Sequence, residues 1–203
     1  MNRHVCILMG SPRKQGNTQA ILQPFTQRLT QLGMMCDVLW LYDKCIFGCT
    51  ACRHCQTDWT APHCVQDDHM NTIFRQVLDS ELLVLATPIY AWYCTAPMKA
   101  ALDRMVYALC KYYGEQKGPS LLAGKSVALL STCGYRPEQG TDLWEAGIQR
   151  YCKHTGMHYL GMHTERHLGY HIPFMDEAKR VSAEAYAERI AQKLESIKER
   201  GSR

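Results

Sequence analysis

The stretch that decides the fold is Cys6-Ile7-Leu8-Met9-Gly10-Ser11-Pro12-Arg13-Lys14-Gln15-Gly16-Asn17-Thr18. It begins with four apolar residues, a run typical of a buried strand, and continues into a turn rich in Gly, Ser, Asn and Thr. Asn17 is a residue type that often caps a helix, so a helix is predicted directly after the turn. Backbone N–H groups at such a turn converge on anions at the positive end of the helix. We therefore predict a phosphate site here.

The residue types of this turn indicate which phosphate fits. Ser11, Asn17 and Thr18 supply neutral hydrogen-bond donors, Gly16 permits close backbone approach, and Arg13 can neutralise a terminal phosphate. The turn lacks the GKS or GKT ending of a triphosphate loop and the G-x-G-x-x-G spacing of a dinucleotide loop. A phosphate monoester therefore fits best, and an ordinary solvated turn is the alternative.

Length and composition predict one globular domain over residues 1–203. The chain has 203 residues with 46% hydrophobic and 21% charged residues, and no apolar run approaches the roughly 20 residues of a membrane span. Residues 1–4 show no signal-peptide architecture, so we expect a cytoplasmic protein with no membrane partner.

Cysteine count and charge narrow the function classes. Eleven cysteines without a secretion signal are read as reduced thiols, metal ligands or redox groups rather than as a disulfide framework. The net charge of +4 is mild and its basic residues are scattered, so we expect no nucleic-acid partner. The same charge argues against a strongly acidic electron carrier.

Hydrophobic periodicity predicts alternating strands and helices. Strands are predicted at residues 5–9, 36–41, 82–86, 126–132 and 157–162. Helices are predicted at residues 17–32, 67 or 68 to 78, 95 or 96 to 109, 141–154 and 176–200. Pro24 is expected to kink the first helix or remove one hydrogen bond. The alternation predicts an α/β flavodoxin-like three-layer sandwich, with a five-stranded parallel sheet in the order 2-1-3-4-5 and helices on both faces.

In that strand order, the loops after strands 1, 3 and 4 meet at one edge of the sheet. The loop after strand 3 carries Tyr90, Trp92 and Tyr93, which can form the wall of a site for a planar heterocycle. The alternative is that these rings plug the sheet end or an oligomer contact. A small turn, Cys133-Gly134-Tyr135, follows strand 4. A phosphate monoester and a flat heterocycle at one edge together predict FMN.

Three motifs resemble a known family. They are Gly10-Ser-Pro-Arg-Lys-Gln-Gly-Asn-Thr18, Pro88-Ile-Tyr90 and Met98-Lys-Ala-Ala-Leu-Asp-Arg104, and they resemble the NADPH-dependent FMN reductases of the flavodoxin-like superfamily. The central part, with Cys49, Cys52, Cys55, Cys64 and the pair Asp67-Asp68, is similar to the iron-sulfur flavoprotein branch of that group.

The resemblance implies non-covalent FMN, NAD(P)H as cosubstrate, and homodimers or homotetramers. The FMN phosphate would lie on Ser11, Arg13, Asn17 and Thr18, with Gly16 in the same loop. The isoalloxazine ring would lie against Pro88, Ile89, Tyr90, Ala91 and Trp92, and against Cys133, Gly134 and Tyr135. Because the flavin carries the chemistry, no side chain is assigned as catalytic.

The cysteines Cys49, Cys52, Cys55 and Cys64 form a C-x2-C-x2-C-x8-C pattern after strand 2. Three thiolates at x2 spacing with a later fourth can hold a [4Fe-4S] cluster. Zinc and a metal-free loop are the alternatives. Eight residues separate Cys55 from Cys64, which is a longer gap than the family usually has before its fourth cysteine.

These features predict an FMN-dependent oxidoreductase that passes hydride or electrons from NAD(P)H to a small acceptor such as a quinone or a flavin. The alternatives are an iron-sulfur electron carrier and a protein that keeps the fold without redox work. Asp103 and Arg104 are expected to tie a helix to its neighbours rather than to act in catalysis.

Overall fold

A five-stranded parallel sheet with helices on both faces organises residues 3–201, which are the residues described by the computed structural model. Residues 1–2 and 202–203 of the predicted domain lie outside the described part. The strands are β1 (Arg3–Met9), β2 (Met34–Trp40), β3 (Leu82–Pro88), β4 (Ser126–Cys133) and β5 (His158–Arg166). The helices are α1 (Asn17–Gln31), α2 (Met70–Asp79), α3 (Ala96–Leu109), α4 (Pro137–Gly140), α5 (Asp142–Thr155) and α6 (Glu177–Gly201). The strand order β2-β1-β3-β4-β5 confirms the prediction.

The sheet separates two hydrophobic cores. On one face α1 and α6 contribute Phe25 and Ile190, and on the other α2, α3 and α5 contribute Phe74, Met105 and Trp144. Every residue of β3 and β4 is buried, as expected for central strands covered on both faces. Within residues 3–201, none of the helices combines the length and the apolar character needed to cross a membrane.

The element boundaries differ from the predictions in ways that have local causes. Gly16, not Asn17, precedes α1, and it has an extended backbone. The helix then continues through Pro24, so the missing N–H of this proline does not end it. Strand β5 runs on to Arg166 because its polar last residues pair with the end of β4. Helix α4 was not predicted.

A buried ion pair anchors the segment between β2 and α2 (residues 44–69, here called the cysteine segment). Arg104 of α3 donates from Nη1 to Asp68 Oδ2 over 2.8 Å, and the two side chains are 1% and 0% exposed. Asp68 also accepts from the backbone amides of Phe47 (2.9 Å) and Met70 (3.0 Å). Burial alone would raise the pKa of Asp68, but these hydrogen bonds hold it below the usual aspartate value. Arg104 therefore ties α3 to its neighbour, as predicted. The same prediction was wrong for Asp103, which pairs with Lys99 inside α3.

Replacing Asp68 by Ala is expected to destabilise the protein by roughly 3 to 5 kcal/mol, because it leaves the Arg104 charge buried without a partner. Urea unfolding measures the change. Asp103→Ala is the control: Asp103 lies beside Arg104 in the sequence, but its pair with Lys99 is largely exposed, so a loss below about 1 kcal/mol is expected. Equal losses for the two variants would contradict the anchoring role of Asp68.

Candidate functional site

The loop between β1 and α1 presents backbone donors at the start of a helix. Ser11 is buried, and its Oγ accepts from the Arg13 amide over 3.2 Å and donates to the Arg13 carbonyl over 3.4 Å. No side chain caps α1. The amides of its first turn, beginning at Asn17, therefore have no intrahelical acceptor and face the loop. Such amides, at the positive end of the helix, favour an anion.

The two cations of this loop have different surroundings. Lys14 pairs with Asp43, and its Nζ lies 3.9 Å from the centre of the Trp40 ring. Arg13 is exposed and has no carboxylate partner within residues 3–201. The positive charge available to a ligand at this loop is therefore that of Arg13.

Two glycines make the loop compact. A Cβ on Gly16 would lie 2.9 Å from the Cβ of Arg13, so a larger residue would disturb the turn. A Cβ on Gly10 would lie 2.8 Å from Thr95 Oγ1, which instead donates a 2.8 Å hydrogen bond to the Gly10 carbonyl. This contact joins the end of β1 to the start of α3.

The loop after β3 turns through two non-glycine residues in the left-handed region. Ala91 has φ of +47° and Trp92 has φ of +62°, and Tyr90 and Tyr93 exchange backbone hydrogen bonds of 2.9 and 3.0 Å across them. A left-handed conformation costs a non-glycine residue roughly 1 to 2 kcal/mol. Strain of this kind is common at functional sites.

Exposed aromatic rings meet above this edge of the sheet. Trp92 stacks on Tyr135 with ring centres 5.6 Å apart and planes at 22°. Tyr90, Trp92 and Tyr135 are 48%, 46% and 59% exposed, so their faces are open to a planar ligand. Beside them, the Cys133 thiol is buried and donates to the Tyr135 carbonyl, while Gly134 is exposed.

Direct contacts connect the three predicted loops. The Gly10 amide donates to the Ala86 carbonyl and the Ile89 amide donates to the Thr132 carbonyl, each over 2.8 Å. The Thr18 and Thr132 hydroxyls lie 2.9 Å apart in a buried position. Thr18 thus lies under the loop, against β4. Thr132 was not among the predicted site residues, although its place as the last residue of the fourth predicted strand could have indicated it.

The cysteine segment brings its four predicted ligands to one cavity. Cys49, Cys52, Cys55 and Cys64 line a space of about 20 Å³ together with Arg104 of α3. On either side of Cys52, Ala51 and Arg53 have left-handed φ values of +54° and +62°. These conformations curl the backbone around the cavity. No three His, Cys, Asp or Glu side chains of the described chain are placed to hold a single metal ion, so the tetrahedral set that zinc requires is not formed.

Two further buried side chains hold the cysteine segment against α3. Lys111 is fully buried, and its Nζ donates to the carbonyls of Cys55 (2.7 Å), Ala61 (2.6 Å), Pro62 (3.3 Å) and Ala108 (2.6 Å). Gln56 donates to the carbonyls of Tyr107 and Cys110 and accepts from the Tyr113 amide. Sequence patterns did not indicate either residue, because their partners are distant in the chain.

Comparison with known proteins places this arrangement in a family. A family model described as NADPH-dependent FMN reductase matches residues 3–163. The iron-sulfur flavoprotein of Archaeoglobus fulgidus is 35% identical over 132 residues, which are 65% of this chain and 56% of that protein. The iron-sulfur flavoprotein of Methanosarcina thermophila is 28% identical over 129 residues, which are 64% of this chain and 62% of that protein. The chain thus aligns with less than two thirds of either relative.

Solved structures share the fold at low sequence identity. The NAD(P)H:quinone oxidoreductase from Methanothermobacter marburgensis has a TM-score of 0.64 and 20% identity, covering 93% of this chain and 97% of that one. A flavodoxin from the domain Archaea has a TM-score of 0.57 and 12% identity, covering 95% and 99%. The fold is therefore flavodoxin-like. Because the family model matches most of the chain, this protein belongs to the NADPH-dependent FMN reductase family.

Proposed function

We propose that this protein is an FMN-dependent oxidoreductase, acting as one FMN-binding domain, which takes reducing equivalents from NAD(P)H and delivers them to a small acceptor such as a quinone or a flavin. The observation that carries the proposal is the meeting of three loops at one edge of the sheet. There, the first-turn amides of α1 and an Arg13 with no carboxylate partner within residues 3–201 lie at the β1 loop, and exposed aromatic rings lie at the other two. Family membership supports the same function.

The donor set of the β1 loop fits the phosphate of FMN. The Ser11 hydroxyl, the amides of Asn17 and Thr18 and the Asn17 side chain would supply hydrogen bonds, and Arg13 would supply the opposite charge. The Gly16 amide instead donates to the Arg13 carbonyl over 3.1 Å, which closes the turn. The carboxylate of Asp43 pairs with Lys14 of the same loop. A dianionic monoester would therefore meet hydrogen-bond donors and the positive charge of Arg13.

The other two loops fit the flavin ring. Residues from Pro88 to Trp92 would offer backbone groups to its polar edge, and Trp92 and Tyr135 would offer aromatic faces, with Cys133 and Gly134 beside them. When bound, FMN supplies hydride acceptance and electron donation, and the protein supplies position and electrostatics. No side chain is assigned a proton-transfer role.

A double substitution, Arg13→Ala with Asn17→Ala, tests the phosphate site. Each substitution removes a hydrogen-bond donor to the charged phosphate. The dissociation constant for FMN should therefore rise about tenfold or more for each substitution. Fluorescence titration of free FMN into the protein gives the dissociation constant. Lys14→Ala is the matched control. It removes a positive charge from the same loop, but that charge already pairs with Asp43, so a smaller loss of FMN binding is expected. Undiminished FMN binding in the double variant would overturn the assignment.

The activity is tested by mixing FMN-loaded protein anaerobically with NADPH or NADH. We expect bleaching of the flavin absorbance, and ping-pong kinetics when a quinone is added. If neither nucleotide reduces the flavin, the reductase proposal is wrong. Reduction by a protein donor in its place would favour the electron-carrier alternative, against which the net charge of +4 argues.

We further propose that Cys49, Cys52, Cys55 and Cys64 bind a [4Fe-4S] cluster. Their common cavity and the names of the two archaeal relatives support this proposal. At about 20 Å³ the cavity holds little more than one water-sized sphere. Cluster binding therefore requires the exposed Cys52 side of the segment to move outward.

Iron and acid-labile sulfide in anaerobically purified protein test the cluster, with about four of each expected per chain. Cys64→Ser should lower both contents strongly, because it removes one of four thiolates. Cys45→Ser is the control, since Cys45 is an exposed thiol of the same segment that does not line the cavity. Wild-type protein without iron and sulfide would end the cluster proposal.

The homodimer or homotetramer implied by the resemblance and the cytoplasmic location stay predictions. Leu168, Tyr170 and Ile172, in the segment after β5, are 59%, 89% and 50% exposed, which is compatible with a subunit contact.

A further inference from the structure

A second cleft lies near the far end of α3, away from the three loops of the proposed FMN site. Its volume is about 710 Å³, within the range of roughly 300 to 1,000 Å³ typical of small-molecule sites. One wall is part of the cysteine segment and the other is the loop between α3 and β4. We call it the Trp59 cleft; the lining residues that matter below are Arg53, Gln56, Trp59, Tyr113 and Glu115.

The position of the cleft along α3 separates it from the flavin edge of the sheet. Gln56 donates from Nε2 to the Tyr107 carbonyl over 2.6 Å, and Tyr107 is twelve residues after Thr95. At 1.5 Å per residue, twelve residues of helix correspond to an axial offset of about 18 Å. A ligand of the Trp59 cleft would therefore occupy a site of its own.

Buried hydrogen bonds hold the two walls together without a ligand. Gln56 Oε1 accepts from the Tyr113 amide over 3.0 Å, which joins the cysteine segment to the loop after α3. Lys111, which is fully buried behind the cleft rather than lining it, donates from Nζ to the carbonyls of Cys55 (2.7 Å) and Ala61 (2.6 Å). A site fixed in this way costs little conformational entropy when a ligand binds.

The Trp59 indole has one covered face and one open face. A Cβ on Gly118 would lie 2.8 Å from Trp59 Cε2 and 2.9 Å from Cδ2, the two atoms that the indole rings share, so the glycine backbone packs against one face. The Gly118 amide donates to the Lys111 carbonyl over 2.6 Å, which fixes this contact. Because the side chain is still 41% exposed and lines the cleft, the other face is open for stacking.

The cleft also carries one positive and one negative group. Arg53 and Glu115 are exposed, and neither forms an ion pair among the described residues 3–201. The carboxylate of Asp58, beside Trp59, already accepts from the amide and the hydroxyl of Thr60, both over 2.7 Å. Arg53 has a left-handed φ of +62°, a strained conformation of the kind that is common at ligand sites.

We propose that the Trp59 cleft binds a nucleoside monophosphate whose base carries an amino group, as in AMP. The base stacks on the open face of Trp59, its amino group donates to Glu115, and the phosphate pairs with Arg53. An uncharged ring would leave Arg53 without a partner, and inorganic phosphate would leave the indole face in water. The proposal does not depend on the proposed function, because the cleft shares no lining residue with the FMN loops.

Isothermal titration calorimetry of AMP into FMN-loaded protein tests the proposal, since FMN then occupies its own site. We expect one AMP per chain. Trp59→Ala removes the stacking surface and Arg53→Gln removes the charge, so each should raise the dissociation constant about tenfold or more. Lys117→Gln is the matched control and should leave it unchanged. Lys117 is an exposed cation of the loop after α3 that lies over the Tyr112 ring and does not line the cleft.

The outcomes are read from the variants and not from reductase activity. Wild-type protein that does not bind AMP overturns the proposal, as does wild-type affinity in both the Trp59→Ala and the Arg53→Gln variants. If Trp59→Ala does not fold, Arg53→Gln decides alone, because its side chain is exposed. If the protein does not retain FMN, the same titration is made without it. Binding that is lost in Arg13→Ala but kept in Arg53→Gln then places AMP at the β1 loop and overturns the cleft.

Discussion

The contact between Gly10 and Thr95 is the constraint on which the proposed FMN site depends. The end of β1 and the start of α3 approach so closely that a single added carbon at position 10 would meet the threonine hydroxyl at 2.8 Å. The Thr95 hydroxyl uses this proximity to bond the Gly10 carbonyl. Because the aromatic loop leads directly into Thr95, the same contact places the turn after β1 and the aromatic rings side by side. The strand order brings the loops after β1 and β3 to one edge of the sheet, and the contact between Gly10 and Thr95 sets the distance between these two loops.

Farther along α3, polar contacts hold the cysteine segment in place. Most of the cysteine segment is exposed or half-buried, so it gains little from apolar burial. Arg104 and Lys111 instead reach into it and bond its carbonyls, and Arg104 also pairs with the buried carboxylate of Asp68. From the segment itself, Gln56 bonds the carbonyls of Tyr107 and Cys110. Polar anchors of this kind are directional, so they fix where the thiols lie. They leave Cys52 exposed and Cys49 and Cys64 half-buried, whereas Cys55 is buried.

Sequence patterns predicted the helices and strands whose apolar residues follow a regular spacing along the chain. Continuous apolar runs located β3 and β4, and helical periodicity located α3 and α5 within one or two residues. The patterns failed where long-range contacts decide the outcome. The polar end of β5 is a strand because β4 pairs with it, and the burial of Lys111 depends on carbonyls some fifty residues earlier in the chain. At the candidate site, residue types were enough to predict the three loops. The buried contact between Thr18 and Thr132 could not be predicted in this way, because the two residues are far apart in the sequence and only the fold brings them together.

Helix α3 links the two sites as a rigid spacer. Thr95, just before its first residue, contacts Gly10 in the turn after β1, and Arg104, nine residues later, contacts Cys64 at the thiol cavity. At 1.5 Å per residue the axial offset between these contacts is about 13 Å, and each residue also turns the helix by about 100°. A one-residue insertion or deletion between them would therefore swing one site away from the other around the helix axis. The number of residues between Thr95 and Arg104 therefore fixes the relative orientation of the two sites, and insertions in the cysteine segment, which lies outside α3, leave that number unchanged.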